Sequence, residues 1–298
     1  MIIVAVANQK GGVGKTTTAI NIATAMAATG WRTLLIDLDP QGNASTGMGV
    51  GPADRENSSY DLLLDQATLP ECAQATEIPN LDLVPATQDL SGAEVELVAV
   101  EDRTARLGKA LARAGGKPYD IAFIDCPPSL GLLTLNALCA ADTLLVPLQC
   151  EFFALEGLSQ LLQTVERVQQ RFNPDLGIVG IALTMFDRRN RLTDQVADDV
   201  RDCLGGLVFE SVITRNVRLS AHPFRRGGAD RAGRLDRGAG RDPARHRPPA
   251  RRRPLPACRR RAPLARGAEG APARDSRPGP RARGPRGDGA GPDRESPA

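Results

Sequence analysis

A glycine-rich segment near the amino terminus contains the residue types that bind phosphate. Glycines let backbone N–H groups close around phosphate oxygens, and the start of a following helix adds partial positive charge. Lys15 would reach the β- and γ-phosphates of a nucleotide, and the Thr16 hydroxyl would bind Mg²⁺. The predicted phosphate loop consists of Lys10, Gly11, Gly12, Val13, Gly14, Lys15, Thr16 and Thr17.

The loop departs from the standard Walker A pattern at one position. That pattern has a glycine five residues before Gly14, where this chain has Gln9. An additional lysine, Lys10, follows directly. A chance glycine-rich turn is the competing interpretation, but the apolar strand before the loop and the helical pattern after it favour a nucleotide site.

Three aspartates follow apolar segments that read as strands. Asp125 ends IAFID, the Walker B position, where a carboxylate can hold Mg²⁺ through its water shell. Asp37 and Asp39 lie at the end of the second strand, in LIDLDPQGN, and one of them could polarise an attacking water. A single aspartate at a strand end is as often a turn or helix cap. Three of them around a phosphate loop favour a catalytic site.

Short apolar runs alternate with helical patterns along the first 220 residues. Ile2–Ala7 is one such run, and Thr16–Ala28 has helical spacing ended by Gly30. The segment from Gly92 to Arg113 is expected to be one helix. This alternation predicts an α/β fold of the P-loop NTPase kind, a single doubly wound and mostly parallel sheet.

The last 78 residues differ in composition from the rest of the chain. Arg, Pro, Gly and Ala account for 61 of them, with 21 arginines against 8 acids. The whole chain has a net charge of +3, so the tail is near +13 and the body near −10. Such a tail cannot bury enough apolar surface to fold. We therefore expect an ATPase-type domain over residues 1–220 and a disordered tail over 221–298.

Cysteine and histidine usage argues against several other classes of protein. The six cysteines are scattered singly and both histidines, His222 and His246, lie in the tail, so a zinc site or a disulfide framework is not expected. The amino terminus has no basic signal-peptide region, and no apolar run reaches the ~18 residues that span a bilayer. These features predict a cytoplasmic protein.

Several segments together resemble the signature blocks of the ParA/Soj family. They are NQKGGVGKTT, LLIDLDPQGNAS, YDIAFIDCPPSLG, LLVPLQCEFFALEGLSQL, TMFDRRNRLTDQV and VITRNVRLS, in the family's order, and they span roughly residues 1–220. The resemblance implies an ATPase that partitions DNA, either a chromosome or a plasmid. It would bind ATP and Mg²⁺ and form a homodimer with two ATP molecules at its interface. It also implies cytoplasmic, nucleoid-associated localisation.

The resemblance assigns roles to individual residues. Lys10 matches the family's signature lysine, which reaches the partner subunit's nucleotide, as an arginine finger does. Asp39 matches the aspartate that positions the hydrolytic water, and Asp125 matches the Walker B acid. With Lys15, these residues give a catalytic set of Lys10, Lys15 and Asp39 and a magnesium site of Thr16 and Asp125.

The family likeness also implies an adenine pocket near the end of the domain. Met185 and Phe186 match one side of the pocket, and the segment 213–216, with Asn216, matches the other. The family usually has a proline where this chain has Thr214. This departure bears only on the adenine contact.

In this family the ATP-bound dimer binds DNA without sequence preference, and a ParB-type centromere-binding protein stimulates hydrolysis. Arginines that neutralise DNA phosphates would provide this DNA binding. Solvated surface charge is the competing interpretation for each residue, but their restriction to two short segments favours a shared patch. The candidates are Arg188, Arg189, Arg191, Arg215 and Arg218.

After RNVRLS the family continues with Glu-Ala-Pro and about forty further residues, whereas this chain changes to the Arg/Pro/Gly/Ala-rich tail. Codons for these four residues consist mainly of G and C, so a frameshift near codon 220 would produce such a tail, and the resulting protein would be impaired. The alternative is a genuine Arg-rich arm that binds nucleic acid.

Three other functions compete with the partitioning ATPase. A MinD-like membrane-associated ATPase would need an amphipathic C-terminal helix, and the tail shows no apolar stripe of helical period. An iron–sulfur carrier would need converging cysteines, for which Cys126 is the candidate, although a packed core thiol is the better interpretation. A non-enzymatic DNA-binding module would not need the phosphate loop.

Overall fold

A computed structural model describes residues 1–113, 119–151 and 153–216 of the chain. The predicted tail, 221–298, and Arg218 lie outside these residues. The described part contains one eight-stranded sheet in the order β3-β4-β2-β5-β1-β6-β7-β8. All neighbouring strands are parallel except β3 and β4, which are antiparallel. This arrangement confirms the predicted α/β class.

The strands are short and mostly apolar. Their bounds are β1 Ile2–Val6, β2 Thr33–Asp37, β3 Gln74–Ala75, β4 Leu81–Val84, β5 Ile121–Asp125, β6 Thr143–Gln149, β7 Gly177–Phe186 and β8 Val208–Thr214. Every residue of β2 and β5 is buried. Strands that read as continuous apolar runs are typical of a parallel sheet covered on both faces.

Nine α-helices accompany the sheet in the described residues. Their bounds are α1 Lys15–Ala28, α2 Asn43–Gly47, α3 Ser59–Leu64, α4 Leu69–Cys72, α5 Leu90–Glu96, α6 Arg106–Ala112, α7 Leu132–Ala140, α8 Ala154–Arg171 and α9 Arg191–Leu204. None of the helices in the described part is both long and apolar enough to cross a membrane.

The sheet separates two apolar cores, and the alternation of side chains along each strand supplies both. Leu34 and Ile36 of β2 point to the larger core, which is built with α3 and α5 to α9. Leu35, between them, points to the smaller core, where α1 supplies Ala19 and Ala23. Successive strand residues face opposite sides of a sheet, so a central strand must be apolar throughout.

The expected single helix from Gly92 to Arg113 is wrong. The chain instead forms α5, a 3₁₀ turn, an irregular segment and then α6. Asn136 of α7 stabilises this break, because its side chain accepts a hydrogen bond from Leu107 N at 3.2 Å and donates one to Arg103 O at 2.7 Å. A side chain from a distant helix thus satisfies backbone groups that a continuous helix would have paired.

Candidate nucleotide site and basic edge

The phosphate loop connects β1 to α1, as predicted. Gly12 and Gly14 have φ angles of 74° and 87°, a left-handed conformation that favours glycine, and Gly14 immediately precedes α1. A Cβ atom added at Gly11 or Gly12 would have no heavy atom within 4 Å. The loop therefore has open space beside its backbone where phosphate oxygens fit, at the amino terminus of a 14-residue helix.

Two polar residues outside the predicted set fix the loop to the sheet. Asn8 Nδ2 donates to Pro147 O at 2.7 Å, and Asn8 Oδ1 accepts from Lys10 N at 3.1 Å. Thr184 Oγ1 donates to Val13 O at 2.8 Å. Asn8 and Thr184 are both buried. Asn8 and Thr184 are the first residues of the segments NQKGGVGKTT and TMFDRRNRLTDQV, but neither segment indicated a role for them.

Lys15 lies inside the site. Its side chain is buried, and Nζ donates to Lys10 O at 3.1 Å. Burial lowers the pKa of the Lys15 ammonium, and the negative charge of Asp125, followed by Cys126 and Asp39, opposes that shift. The lysine is thus held in the loop beside acidic groups at the carboxyl edge of the sheet.

Asp37 and Asp125 are direct neighbours, because β2 and β5 pair in register at these residues. Both are 0% exposed. Among the described residues, no hydrogen bond of ordinary geometry reaches either carboxylate oxygen of Asp125. Its pKa is raised well above the usual range, first by burial and then by the charge of Asp37, with Thr16 and Lys15 opposing. A buried carboxyl group with unpaired oxygens fits a divalent cation held beside Thr16.

Asp37 has a different environment, because it is fully hydrogen-bonded. Its carboxylate accepts from Ser45 Oγ at 2.7 Å, from Ser45 N at 2.8 Å and from Asp39 N at 3.1 Å. Burial raises its pKa to about 6 in spite of these bonds. Because the loop that follows β2 already donates hydrogen bonds to both Asp37 oxygens, Asp37 is placed to hold that loop. Asp39 is therefore the candidate that can act on a water molecule.

Asp39 lies in the turn between β2 and α2 and is 8% exposed. Its Oδ1 accepts from Gln41 N at 3.0 Å, and its backbone oxygen accepts from Gly42 N at 2.8 Å. The Asp39 carboxylate lies near enough to Lys15 to oppose the lowering of the lysine's pKa. The turn therefore presents the Asp39 carboxylate toward the phosphate loop.

Lys10 does not point into the site of its own chain. Its Nζ forms an ion pair with Glu151 Oε2, just after β6, and its side chain is 39% exposed. Gln149 Nε2 donates to the other Glu151 oxygen. The two lysines of the loop thus have separate locations, one buried against carboxylates and one near the surface.

The end of β7 lies against the phosphate loop. Met185 has a φ angle of 49°, and its Cε atom lies 4.0 Å from the position of a Cβ on Gly14. The register of β7 and β8 pairs Phe186 with Thr214, which brings the 213–216 segment, including Asn216, to the same edge. The structure therefore brings the predicted adenine residues to one side of the loop.

The predicted DNA-binding arginines that the structure describes lie together at this edge and are exposed. Three follow β7 and one follows β8, and the backbone N of Arg215 donates to Phe186 O at 3.2 Å. Arg189 is 96% exposed, with a weak ion pair to Asp187 at 3.7 Å. We call this surface the basic edge; its residues are Arg188, Arg189, Arg191 and Arg215.

Cys126 follows the Walker B aspartate and is a core thiol. It is buried, its Sγ donates to Ile124 O at 3.7 Å, and burial raises its pKa above the usual range. Within the described ranges no group of three or more His, Cys, Asp and Glu is arranged to hold a metal ion. The magnesium candidate, Thr16 with Asp125, needs phosphate and water as its other ligands.

Comparisons with known proteins show the family of the chain. Residues 1–178 match a family described as an AAA domain. The chromosome partitioning protein ParA of Caulobacter vibrioides (strain NA1000 / CB15N) is 57% identical over 223 residues, which are 74% of this chain and 83% of that protein. The sporulation initiation inhibitor protein Soj of Bacillus subtilis (strain 168) is 52% identical over 221 residues, 74% of this chain and 87% of that protein.

A solved structure has the same fold with nucleotide bound. It is a protein named cobyrinic acid a,c-diamide synthase from Mycobacterium smegmatis, with ADP and magnesium, at 42% identity and a TM-score of 0.69. The match covers 72% of this chain and 87% of that chain. The partitioning proteins are more similar in sequence, and over most of their length. The chain therefore belongs to the ParA/Soj family of chromosome-partitioning ATPases.

Proposed function

We propose that this chain is a Mg²⁺-dependent ATPase that partitions DNA, either a chromosome or a plasmid. The buried Asp125 carboxylate is the observation that carries the proposal, because no hydrogen bond of ordinary geometry reaches either of its oxygens among the described residues. It lies at the end of β5, close to Lys15 and Thr16. The Mycobacterium smegmatis structure holds ADP and magnesium on the same fold.

Different residues of the site would bind the phosphates, the magnesium ion and the adenine of ATP. Backbone N–H groups of residues 11–17 and the start of α1 would bind the phosphates, and the buried Lys15 ammonium would reach the β- and γ-phosphates. Thr16 and Asp125 would hold the magnesium ion, which supplies positive charge to the phosphate oxygens. Met185 and Asn216 would contact the adenine.

Asp39 would orient the water that attacks the γ-phosphate. The carboxylate lies in a turn that is hydrogen-bonded at its backbone N, its backbone O and one of its own oxygens, so its position is fixed before substrate binds. A group that is positioned in advance avoids the cost of ordering it in the transition state. Asp39 therefore accepts a hydrogen bond from the water while Lys15 holds the phosphate.

Dimerisation on ATP would bring Lys10 into the reaction. In the single chain, this lysine lies near the surface and pairs with Glu151. If the Lys10 ammonium reached the nucleotide of a partner subunit, it would supply the positive charge that the transition state lacks in the monomer. This explains physically why the loop carries a second lysine in place of the usual pattern.

The basic edge would bind DNA phosphates without reading the sequence. Its four arginines are exposed, adjacent and free of strong carboxylate partners among the described residues. Arg218 would extend it. A ParB-type centromere-binding protein would stimulate hydrolysis, and the protein would work in the cytoplasm on the nucleoid.

The test is the Asp39→Ala variant. We expect loss of ATP turnover with ATP binding within about twofold of the unsubstituted chain, since the carboxylate acts in the transition state and not in ground-state binding. Phosphate release and fluorescent-nucleotide titration measure the two quantities. Asp198→Ala, an exposed site on α9, is the matched control. Unchanged turnover in Asp39→Ala would contradict the role proposed for Asp39.

We also propose that residues 221–298 are an out-of-frame translation product. Composition supports this, and so does β8, where Phe209 and Ile213 are 39% and 45% exposed although both are apolar. Resequencing the gene across codons 210–240 tests it: a restored frame with Glu-Ala-Pro and about forty further residues supports the frameshift. A confirmed frame would leave the Arg-rich arm as the explanation.

A further inference from the structure

Arg55 holds the segment that follows Asp39. Its Nε and Nη2 donate to Val50 O at 3.3 and 3.1 Å, and Nη2 also donates to Thr46 Oγ1 at 2.7 Å and Gly42 O at 3.3 Å. Its Nη1 donates to Ala86 O at 2.8 Å. One guanidinium therefore connects both ends of α2 to Ala86, two residues after β4.

The acceptors are unusual for an arginine. All of them are neutral oxygens, and no ion pair joins Arg55 to a carboxylate in the described part of the chain. The contact is close, because a Cβ on Gly42 would lie 2.1 Å from Arg55 Nη1. Gly42 itself has a φ angle of 61°. Glycine is thus needed here both for the turn and for the approach of the arginine.

A second, buried set of bonds lies on the inner side of the same segment. Ser45 donates to Asp37 through both its N and its Oγ, and Ser45 Oγ accepts from Ala86 N at 2.9 Å. Ala86 therefore uses its N–H on the inner side and its carbonyl on the outer side. The turn that carries Asp39 is bonded to Asp37 from inside, and Arg55 ties down the helix that follows it from outside.

We propose that Arg55 is a positioning residue for Asp39 and, through it, for ATP hydrolysis. The inference rests on the role proposed for Asp39. The inner bonds come from short side chains of β2 and α2: Ser45 fixes the middle of α2, and Asp37 Oδ1 accepts from Asp39 N at the start of the turn. Gly42, which ends the Asp39 turn, has Arg55 as its side-chain partner. Without the guanidinium, the Asp39 turn loses its outer constraint while the phosphate loop keeps all of its own.

The test compares Arg55→Ala with Arg55→Lys in the full chain. Arg55→Ala is expected to lower kcat about tenfold, with the affinity for ATP within about twofold, since a small misplacement of a catalytic group affects the reaction more than binding. Arg55→Lys should recover only part of the loss, because one ammonium cannot replace the planar fork of donors.

Chemical rescue separates positioning from general destabilisation. Guanidinium ion at millimolar concentration, far below denaturing levels, should restore part of kcat in Arg55→Ala and have no effect on Arg55→Lys or on the unsubstituted chain. Arg167→Ala, an exposed position on α8, is the control for loss of an arginine. An unchanged kcat in Arg55→Ala overturns the proposal. A lower kcat also overturns it if guanidinium does not restore the activity and the loss of activity parallels a lower melting temperature.

A measurement that does not depend on ATP turnover distinguishes the proposed role of Arg55 from that of Asp39. Hydrogen exchange of the nucleotide-free chain should be faster across residues 42–50 in Arg55→Ala and unchanged across residues 10–17. If Asp39→Ala retains full turnover, the role of Asp39 fails, whatever the exchange shows. If exchange across residues 42–50 does not change, the outer constraint fails, whatever the role of Asp39.

Discussion

The carboxyl edge of the sheet contains two charged regions that differ in every physical respect. In the nucleotide site, Lys15, Asp37 and Asp125 are 7%, 0% and 0% exposed. On the basic edge, Arg189 is 96% exposed and its nearest carboxylate is 3.7 Å away. The first region concentrates charges in the interior, and the second presents charges of one sign to solvent.

This difference shows how one sheet edge can serve two functions. Charges in a low-dielectric interior interact strongly and shift one another's pKa values, so their positions must be fixed by hydrogen bonds. Charges in water interact weakly, and their effect depends on number and salt concentration. The predictions below test whether the two regions behave in these two ways, beginning with the largest effect.

Asp37→Asn should change the pH dependence of stability. The pKa of Asp37 is about 6 in the folded chain against 3.8 when exposed, so the folded state holds its proton more tightly. The stabilisation of the folded state by the proton on Asp37 is complete below pH 3.8 and is lost as the pH rises through 6. Above that range the stability no longer changes with this group. Relative to Asp37→Asn, the unsubstituted chain should lose about 3 kcal/mol between pH 3 and 7. Urea unfolding without nucleotide measures this; a constant difference would contradict it.

Lys15→Ala should lose nucleotide affinity about 100-fold, because a buried, hydrogen-bonded charge contributes 2 to 5 kcal/mol to binding. Fluorescent-nucleotide titration with Mg²⁺ provides the measurement. Lys109→Ala is the control, since that lysine is half exposed and pairs with Asp102. Equal losses in both variants would show that the effect does not come from the site.

Replacing Arg189, Arg215 and Arg218 together with Glu should lower DNA affinity at least about tenfold and reduce the slope of affinity against salt. ATP binding should be retained, because the phosphate loop and the adenine candidates Met185 and Asn216 are all kept. Gel-shift titrations at several salt concentrations make the test. Unchanged DNA affinity would remove the basic edge as the DNA surface.

Glu151→Gln should have the smallest effect. The ion pair with Lys10 is solvent-exposed on both sides, so it contributes at most about 1 kcal/mol. Freeing Lys10 should tighten ATP-dependent dimerisation by up to about fivefold, as measured by sedimentation in the Asp39→Ala background. Glu156→Gln, in the first turn of α8, is the control. Weaker dimerisation would contradict the idea that Glu151 competes for the lysine.

The sequence predicted the parts of the molecule that follow simple local rules. The apolar strands β1, β2 and β5 and the loop before α1 were all evident, because strands buried on both faces must be apolar and phosphate loops need glycine. The family resemblance was confirmed by the comparisons. The roles of Lys10, Asp39 and the arginines stay predictions.

Interactions between distant residues could not be predicted. The break between α5 and α6 depends on Asn136 from α7, and the Asp39 turn depends on Arg55 and Ala86. None of these residues carries a local motif. The α-helices between residues 43 and 75 are only four to six residues long, which is too short to show helical periodicity in the sequence.

The most direct test of the central claim is whether ATP controls DNA binding. The account predicts that full-length Asp39→Ala, which holds ATP without hydrolysing it, retards DNA in a gel shift with ATP and Mg²⁺, and that DNA stays free with ADP or without nucleotide. Equal retardation in all three conditions would contradict it, because the buried site and the basic edge would then act independently.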